Sequence, residues 1–445
     1  MPKTKQVDIA LLGCGKLGQG VYKLWKNSRE KILDQSGIKL NIKHILVKHI
    51  QYKRDNSIDK EKITNNVDTI LNDGTVKIVI DTIGGIEPTY GIVKNFLDRG
   101  LHLVSANRAL LASKLREIFE LARSKKVHLK FDAALGGGIP IIRTLRRDLI
   151  AARIERMLGI VSGSSNFILS EMTRNKRSLK EILKLPGLQK LSESHLLADY
   201  EGSDAAQKIT LLAATAFGVE VNYLHVHAEG IENLEKMDIE FAEEFGYHIK
   251  LLAIIKNRND GLELRVHPTF VPINHPLNSV EDEYNAYYIE TDNIGKFMLY
   301  GKGAGINPAA NMVIRDLVEI AITIKTLSRY MFDLPLWDQK PVLPIEEIES
   351  GYYLRFLCLD MPGVMGKIAT VLGNFDINIG SAHASAEIYD KKEKKSFVHI
   401  FTEMAKEKDI QASVEEIKKL NVIQGDIKYF RILGEQSDVN SDFRI

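Results

Sequence analysis

The chain has 445 residues, 44% hydrophobic and 27% charged, and its 60 basic and 58 acidic side chains leave a net charge of +2. That length suits about two to four domains, and the even charge excludes the basic stripe of a general nucleic-acid binder. Cys14 and Cys358 lie far apart and fit no metal-ligand spacing, which suits a reducing cytoplasm, and no apolar run reaches the ~18 residues of a membrane helix.

Val7 to Leu12 reads as a buried strand and not as a secretory signal, because Asp8 interrupts it and a glycine loop follows at once. A helix is expected from about Leu17 to Ile32. Between them stands Gly13-x-Gly15-x-x-Gly18, a dinucleotide fingerprint. Its first glycine allows a tight turn, its second admits a pyrophosphate, and its third lets helix and strand pack closely. The backbone N–H groups of Lys16, Leu17 and Gly18 then meet the phosphates at a helix N-terminus. A second strand is expected from Ile42 to Val47. An acidic residue at its end would take a ribose hydroxyl of NAD, but the chain has Lys48, with Lys53 and Arg54 behind. Positive charge there suits the extra phosphate of NADP; a solvated basic loop is the competing reading. Further strands over Lys77–Gly85, Leu101–Asn107 and Val127–Phe131, separated by helices, predict an α/β Rossmann-like parallel sheet over residues 1–150.

Glu155 to Phe167 becomes strand-like again, followed by mixed helix and strand to about residue 300, an α+β domain over 151–330. Asp204 and Lys208 are four apart at the start of an otherwise apolar helix, so they share a face. The bland reading is a surface ion pair worth at most about 1 kcal/mol. The alternative is a charged pair at the rim of a cleft, since burying unpaired charge is costly. Asp316 to Tyr330 reads as one helix. Pro335, Pro341 and Pro344 mark a linker over 331–350. Residues 351–435 then show the order β-α-β-β-α-β of a ferredoxin-like module. His225 and His227 lack an evident third metal ligand, Lys391–Lys395 suits a solvated hairpin tip, and Ser162 to Ser165 has no His–Asp partner for a serine nucleophile.

Three segments carry a family resemblance: 159–169 (GIVSGSSNFIL), 201–208 (EGSDAAQK) and 300–305 (YGKGAG). With the glycine loop and Ser105-Ala106-Asn107-Arg108, the chain resembles homoserine dehydrogenase of the long bacterial type from residue 7 to about 435. The last domain, with Asp360-x-Pro362-Gly363, resembles an ACT domain, a module that senses small molecules, usually amino acids. The resemblance implies NAD(P)H-dependent interconversion of aspartate 4-semialdehyde and homoserine, and a homo-oligomer, generally a dimer. It implies that Lys208 supplies a proton or stabilises the developing oxyanion. Asp204 and Glu193 would hold the substrate's ammonium and hydroxyl groups, with Asp199 supporting the same wall. Ser105, Arg108, Gly303 and Gly305 would lie near the cofactor. A monovalent cation such as Na+ would sit at the loop of Asp132, Leu135, Gly137 and Ile139, largely on backbone carbonyls. Threonine is the effector the family suggests.

Four positions depart from the family pattern. Arg108 stands for the usual Lys and stays positive but is a poor proton donor near neutral pH. Asp132 stands for Glu, His195-Leu196 for Asp-Pro, and Lys302 for Pro. Two hypotheses follow: an NADP-preferring homoserine dehydrogenase with a C-terminal regulatory domain, or a catalytically impaired paralogue that binds nucleotide or amino acid and acts as a regulator. Arg108 and Lys302 discriminate between them.

Overall fold

The computed structural model describes residues 5–186, 188, 200–326, 340–384 and 395–434. Its first sheet contains β1 (Lys5–Leu12), β2 (Ile38–Leu46), β3 (Ile63–Thr64), β4 (Val76–Asp81), β5 (His102–Ser105) and β6 (Leu129–Lys130). The spatial order is β3-β2-β1-β4-β5-β6 and every pair is parallel. Ile9, Ala10, Leu11 and Leu12 are wholly buried, as expected for a strand with helices on both faces. Because β1 lies between β2 and β4, the connections leaving its two sides diverge at its carboxyl end. That point opens the crevice where parallel α/β sheets bind ligands.

One helix expected in the second domain belongs physically to this layer. Ile306–Thr326 begins ten residues before the expected Asp316, and residues 327–330 lie outside the described residues. Its buried stripe of Ala310, Val313, Leu317, Ile320 and Ala321 joins the core around Val21, Tyr22 and Trp25. The approach to the first helix, Lys16–Ser36, is so close that a β-carbon on Gly20 would lie 2.1 Å from Ile306 Cγ2.

The second sheet has 11 strands. Its first part, from the middle of the chain, comprises β7 (Ile154–Ile160), β8 (His227–Ala228), β9 (Tyr247–Asn257), β10 (Leu262–Pro272), β11 (Tyr284–Thr291) and β12 (Gly295–Lys302). The strand expected to reach Phe167 stops at Ile160. Ser162 then accepts a hydrogen bond from Ser165 N–H and caps a helix, Gly163–Asn175. The helix carrying Asp204 and Lys208, Ser203–Phe217, is buried over most of its length.

The C-terminal module contains β13 (Glu349–Leu359), β14 (Ile379–Ala384), β15 (Lys395–Thr402), β16 (Ala405–Lys406) and β17 (Lys428–Ile432), with helices Val364–Asn374 and Glu407–Lys418. This is the expected β-α-β-β-α-β order with the short β16 added. Strand β17 pairs in parallel with β10, Thr269 opposite Arg431 and Phe270 opposite Ile432. One sheet therefore runs through both domains. Phe270 stacks on Tyr353 and Phe430 across the seam, at ring separations of 4.7 and 5.2 Å. The basic run at Lys391–Lys394 lies outside the described residues.

Candidate active site

The glycine loop closes the carboxyl end of β1. Gly13 has φ +91°, and a β-carbon there would sit 2.7 Å from Thr82 O. Gly18 packs on the same turn, where a β-carbon would lie 2.3 Å from Gly13 O. Thr82 Oγ1 fixes the loop by donating to Gly13 O at 2.9 Å. Gly15 differs, for an added β-carbon would meet nothing within 4 Å. Its backbone faces open space at the first turn of Lys16–Ser36, where Lys16 and Leu17 present N–H groups that have no acceptor within the helix. Lys48 follows β2 as an exposed side chain.

The ends of β4 and β5 form the opposite wall. Asp81 is wholly buried and accepts hydrogen bonds from Ile83 N–H and Ser105 Oγ, each at 3.0 Å. Burial pushes its carboxyl above the usual carboxylate value despite those bonds. Ser105 Oγ also accepts from Asn107 N–H, so this hydroxyl shapes the turn. Asn107 caps the helix Arg108–Ser124 by accepting from Leu110 N–H, and its amide donates to Gly85 O at 2.7 Å.

Arg108 opens that helix and leaves the parallel sheet. Its Nε donates to Ala134 O at 2.8 Å, and its Nη1 donates to Asp204 Oδ1. Asp204 Oδ2 meets Lys208 Nζ at 2.8 Å, and the same ammonium donates to Val161 O. Burial raises Asp204's carboxyl, but the charges and hydrogen bonds of Arg108 and Lys208 outweigh it and hold the group at about 2. The Lys208 side chain is only 5% exposed, so it does not project into bulk water. The i,i+4 spacing thus builds a charged chain from the nucleotide-binding sheet into the substrate domain, not a surface pair.

Asn285 completes the wall by donating to Val161 O at 2.9 Å. It explains Gly303, where a β-carbon would fall 1.8 Å from the Asn285 amide. Gly303 in turn packs on Gly137, while Gly138 N–H donates to Lys302 O at 2.9 Å. Gly305 has φ +125°. Lys302 itself is half exposed and points to Glu283, 3.8 Å away.

The expected cation loop is committed to the protein. Asp132 pairs with Arg315 and accepts from Ile142 N–H at 3.1 Å. Leu135 O accepts from Tyr287 Oη, and Ile139 O from Ile141 N–H. A guanidinium on the one carboxylate of the set does not fit a cation held by that side chain, and no step below runs through a metal. Among the described residues no cluster of His, Cys, Asp and Glu could hold one. His227 contacts Glu229 at 2.6 Å, and His225 belongs to a short 3-10 turn, not the expected strand. Glu193, Asp199 and His195 lie outside the described residues.

Asp81 and Asn285 were not singled out in the sequence, and Asn107 entered only as part of the Ser105–Arg108 segment. Asp81 carries a signal, a lone acid ending an apolar strand. Asn285 carries none, because its role depends on a strand distant in the chain.

A glycine loop at a sheet switch point, in a chain that also buries a lysine held by a carboxylate, is the arrangement of a nicotinamide-dependent oxidoreductase. The model of the family "Homoserine dehydrogenase" matches residues 140–318, that of its NAD binding domain residues 13–132, and that of the ACT domain residues 352–422. Homoserine dehydrogenase of Neisseria gonorrhoeae is 34% identical over 433 residues, covering 96% of this chain and 99% of the relative. That of Helicobacter pylori is 34% identical over 428 residues, with coverages of 96% and 99%. The crystal structure of a homoserine dehydrogenase from Thiobacillus denitrificans superimposes with a TM-score of 0.90 at 33% identity, covering 96% and 98% of the two chains. The chain belongs to the homoserine dehydrogenase family. None of these findings favours the impaired regulator: Arg108 extends the charged chain, and Lys302 points toward Glu283.

Proposed function

We propose that the protein reduces L-aspartate 4-semialdehyde to L-homoserine, with NADPH as the preferred cofactor. The reading is carried by one observation, the continuous Arg108–Asp204–Lys208 chain at the carboxyl edge of the parallel sheet. The bound nicotinamide supplies a hydride to the aldehyde carbon, and the carbonyl oxygen gains a proton. Lys208 places a cation where negative charge grows on that oxygen, and a charge fixed beforehand in a dry site needs no reorganisation. Asp204 orients the ammonium. A carboxylate accepts about four hydrogen bonds, so Asp204 can also receive the substrate's ammonium or hydroxyl. Glu193 and Asp199 are the further acidic groups assigned to that ammonium. Lys48 is assigned to the 2′-phosphate of NADPH.

The reading also includes a cytoplasmic homodimer whose ACT domain binds threonine. No helix among the described residues is long and apolar enough to cross a membrane. Light scattering of the purified chain tests the dimer.

The decisive assay follows loss of NADPH absorbance on addition of aspartate semialdehyde. Turnover in the wild type that falls by about 10² or more in Lys208→Ala, with a smaller change in KM, supports the assignment. Absence of turnover in the wild type, or activity that survives Lys208→Ala, overturns it.

A further inference from the structure

A cavity of about 80 Å³ lies at the seam between β10 and β17, and none of its lining residues belongs to the charged chain described above. That volume holds a few waters or one small oxyanion. Its walls include Arg265 and His267 of β10, Arg156 of β7, Lys256 of β9 and Arg431 of β17. These strands are neighbours in one sheet, and the even spacing of Arg265 and His267 places both on the same face. Three of the cations have short-range counter-ions. Arg156 forms a two-point pair with Glu290, at 2.9 and 2.6 Å. Arg431 is gripped by Glu407 and Glu229. Arg265 has Glu263 at 3.6 Å, beyond hydrogen-bond reach. That Glu263 Oε2 also has no hydrogen-bond partner among the described residues, which leaves Arg265 Nε and Nη1 as surplus donors. One further carboxylate, Glu349, lines the cavity.

Arg265 is 8% exposed and His267 wholly buried. Arg265 Nε and Nη1 and His267 Nε2 find no hydrogen-bond partner among the described residues. Buried polar atoms are nearly always satisfied, and an unsatisfied guanidinium N–H is costly. The other ring nitrogen of His267 meets Thr269 Oγ1 at 3.0 Å and Pro268 O at 3.1 Å, which fixes the ring. The unpartnered atoms converge from adjacent positions of one strand face, on a cavity that four cationic side chains line.

We propose that this seam is a binding site for a small oxyanion that accepts hydrogen bonds from Arg265, of the chemistry of inorganic phosphate or a short carboxylate. The site is independent of the reaction proposed above. Charge-assisted hydrogen bonds to Arg265 supply the affinity, and Lys256 on the rim adds long-range attraction.

The test is calorimetric titration of the full chain with inorganic phosphate, and separately with acetate, at constant ionic strength in chloride. Saturable binding of one phosphate or acetate per chain, weakened about tenfold or more in Arg265→Gln and unchanged in Arg108→Gln, supports the site, and the tighter of the two ligands names the source class. Lys256→Gln, which removes a rim charge without emptying the buried position, should weaken binding by about threefold. It decides the matter if Arg265→Gln does not fold. No saturable binding of either anion means hydration only and overturns the proposal. So does binding that survives both seam variants, which would place the anion at the glycine loop.

Discussion

Arg108 donates to Asp204 across the boundary between two sheets, so the first residue of a helix in the nucleotide domain holds the carboxylate that orients Lys208 in the substrate domain. This ion pair is one of the contacts that fix the two sheets relative to each other, beside Gly138 N–H to Lys302 O and the packing of Ile306–Thr326 on the first helix. Arg108→Lys keeps the charge but gives up the planar fork that reaches both Ala134 O and Asp204. We expect about a tenfold loss of kcat/KM in Arg108→Lys and a larger loss in Arg108→Ala, measured as NADPH oxidation.

Asp204 gives the site a defined acid response. Its carboxyl is held at about 2 in the folded chain, against an ordinary value of 3.8. A lowered carboxylate stabilises the fold above its unfolded value and loses that contribution as pH falls through the folded one. The contribution, on the order of 2 kcal/mol, is therefore complete at neutral pH and vanishes between about pH 4 and pH 2. Urea titrations from pH 7 to pH 2.5 should show a shallower loss of stability in Asp204→Asn than in the wild type. Parallel curves would remove Asp204 as the titrating group.

The glycines of the dinucleotide loop separate by function. Gly18→Ala drives a β-carbon into Gly13 O and should cost about 1–3 kcal/mol, seen as a lower thermal midpoint. Gly15→Ala meets no protein atom within 4 Å, so its midpoint should stay near the wild type while the KM for NADPH rises. A fall in stability without a change in KM would contradict the role given to Gly15.

Lys48 is the residue to reverse for cofactor choice. Lys48→Glu should raise the KM for NADPH about tenfold or more and leave that for NADH nearly unchanged, because only the former carries the extra phosphate. Equal effects on both cofactors would reduce Lys48 to a solvated basic side chain.

At the C-terminal seam, Arg431 lies between Glu407, which is wholly buried, and Glu229. Removing the guanidinium leaves a buried carboxylate unpaired, so Arg431→Met should cost about 3–5 kcal/mol in chemical denaturation. Adding Glu407→Gln should restore part of it. Glu229 is followed by Gly230, whose β-carbon position falls 2.0 Å from Tyr200 O, and Ile231 N–H donates to Tyr200 O at 2.7 Å. Tyr200 lies just ahead of the helix that bears Asp204 and Lys208, so the single variant should also lower kcat. An unchanged kcat would uncouple this contact from the active site.

Five strands of the parallel sheet, β1, β2, β4, β5 and β6, were legible because each carries an apolar run set off by helical sequence, although β2 begins at Ile38 and not at Ile42. The two-residue β3 was not foreseen, since Ile63-Thr64 is too short to show a period. The C-terminal module was legible for the same reason. The Asp204–Lys208 pair was visible from helical spacing, and its burial agreed with the Leu- and Ala-rich sequence that follows. Contacts that join distant segments were not visible. The return of Ile306–Thr326 to the first helix depends on Gly20 and Ile306, nearly 300 positions apart, and nothing in either neighbourhood points to the other. Asp132 looked like a cation ligand because Arg315, which pairs with it, is remote in the chain. The hydrogen bond from Ser105 to Asp81 was not visible either, because the two residues end different strands.

The parallel pairing of β10 with β17 has a consequence for how an effector could act. A regulatory lobe hung on a flexible tether can be cut away to leave a working enzyme, but here the lobe supplies the edge of the enzyme's own sheet. Truncation before residue 349 would strip a partner from Thr269 and Phe270 and bare a hydrophobic strand margin that invites self-association. A hinged swing of the lobe would break the backbone pairing at Thr269 and Phe270, whereas a small slide of neighbouring strands would keep it.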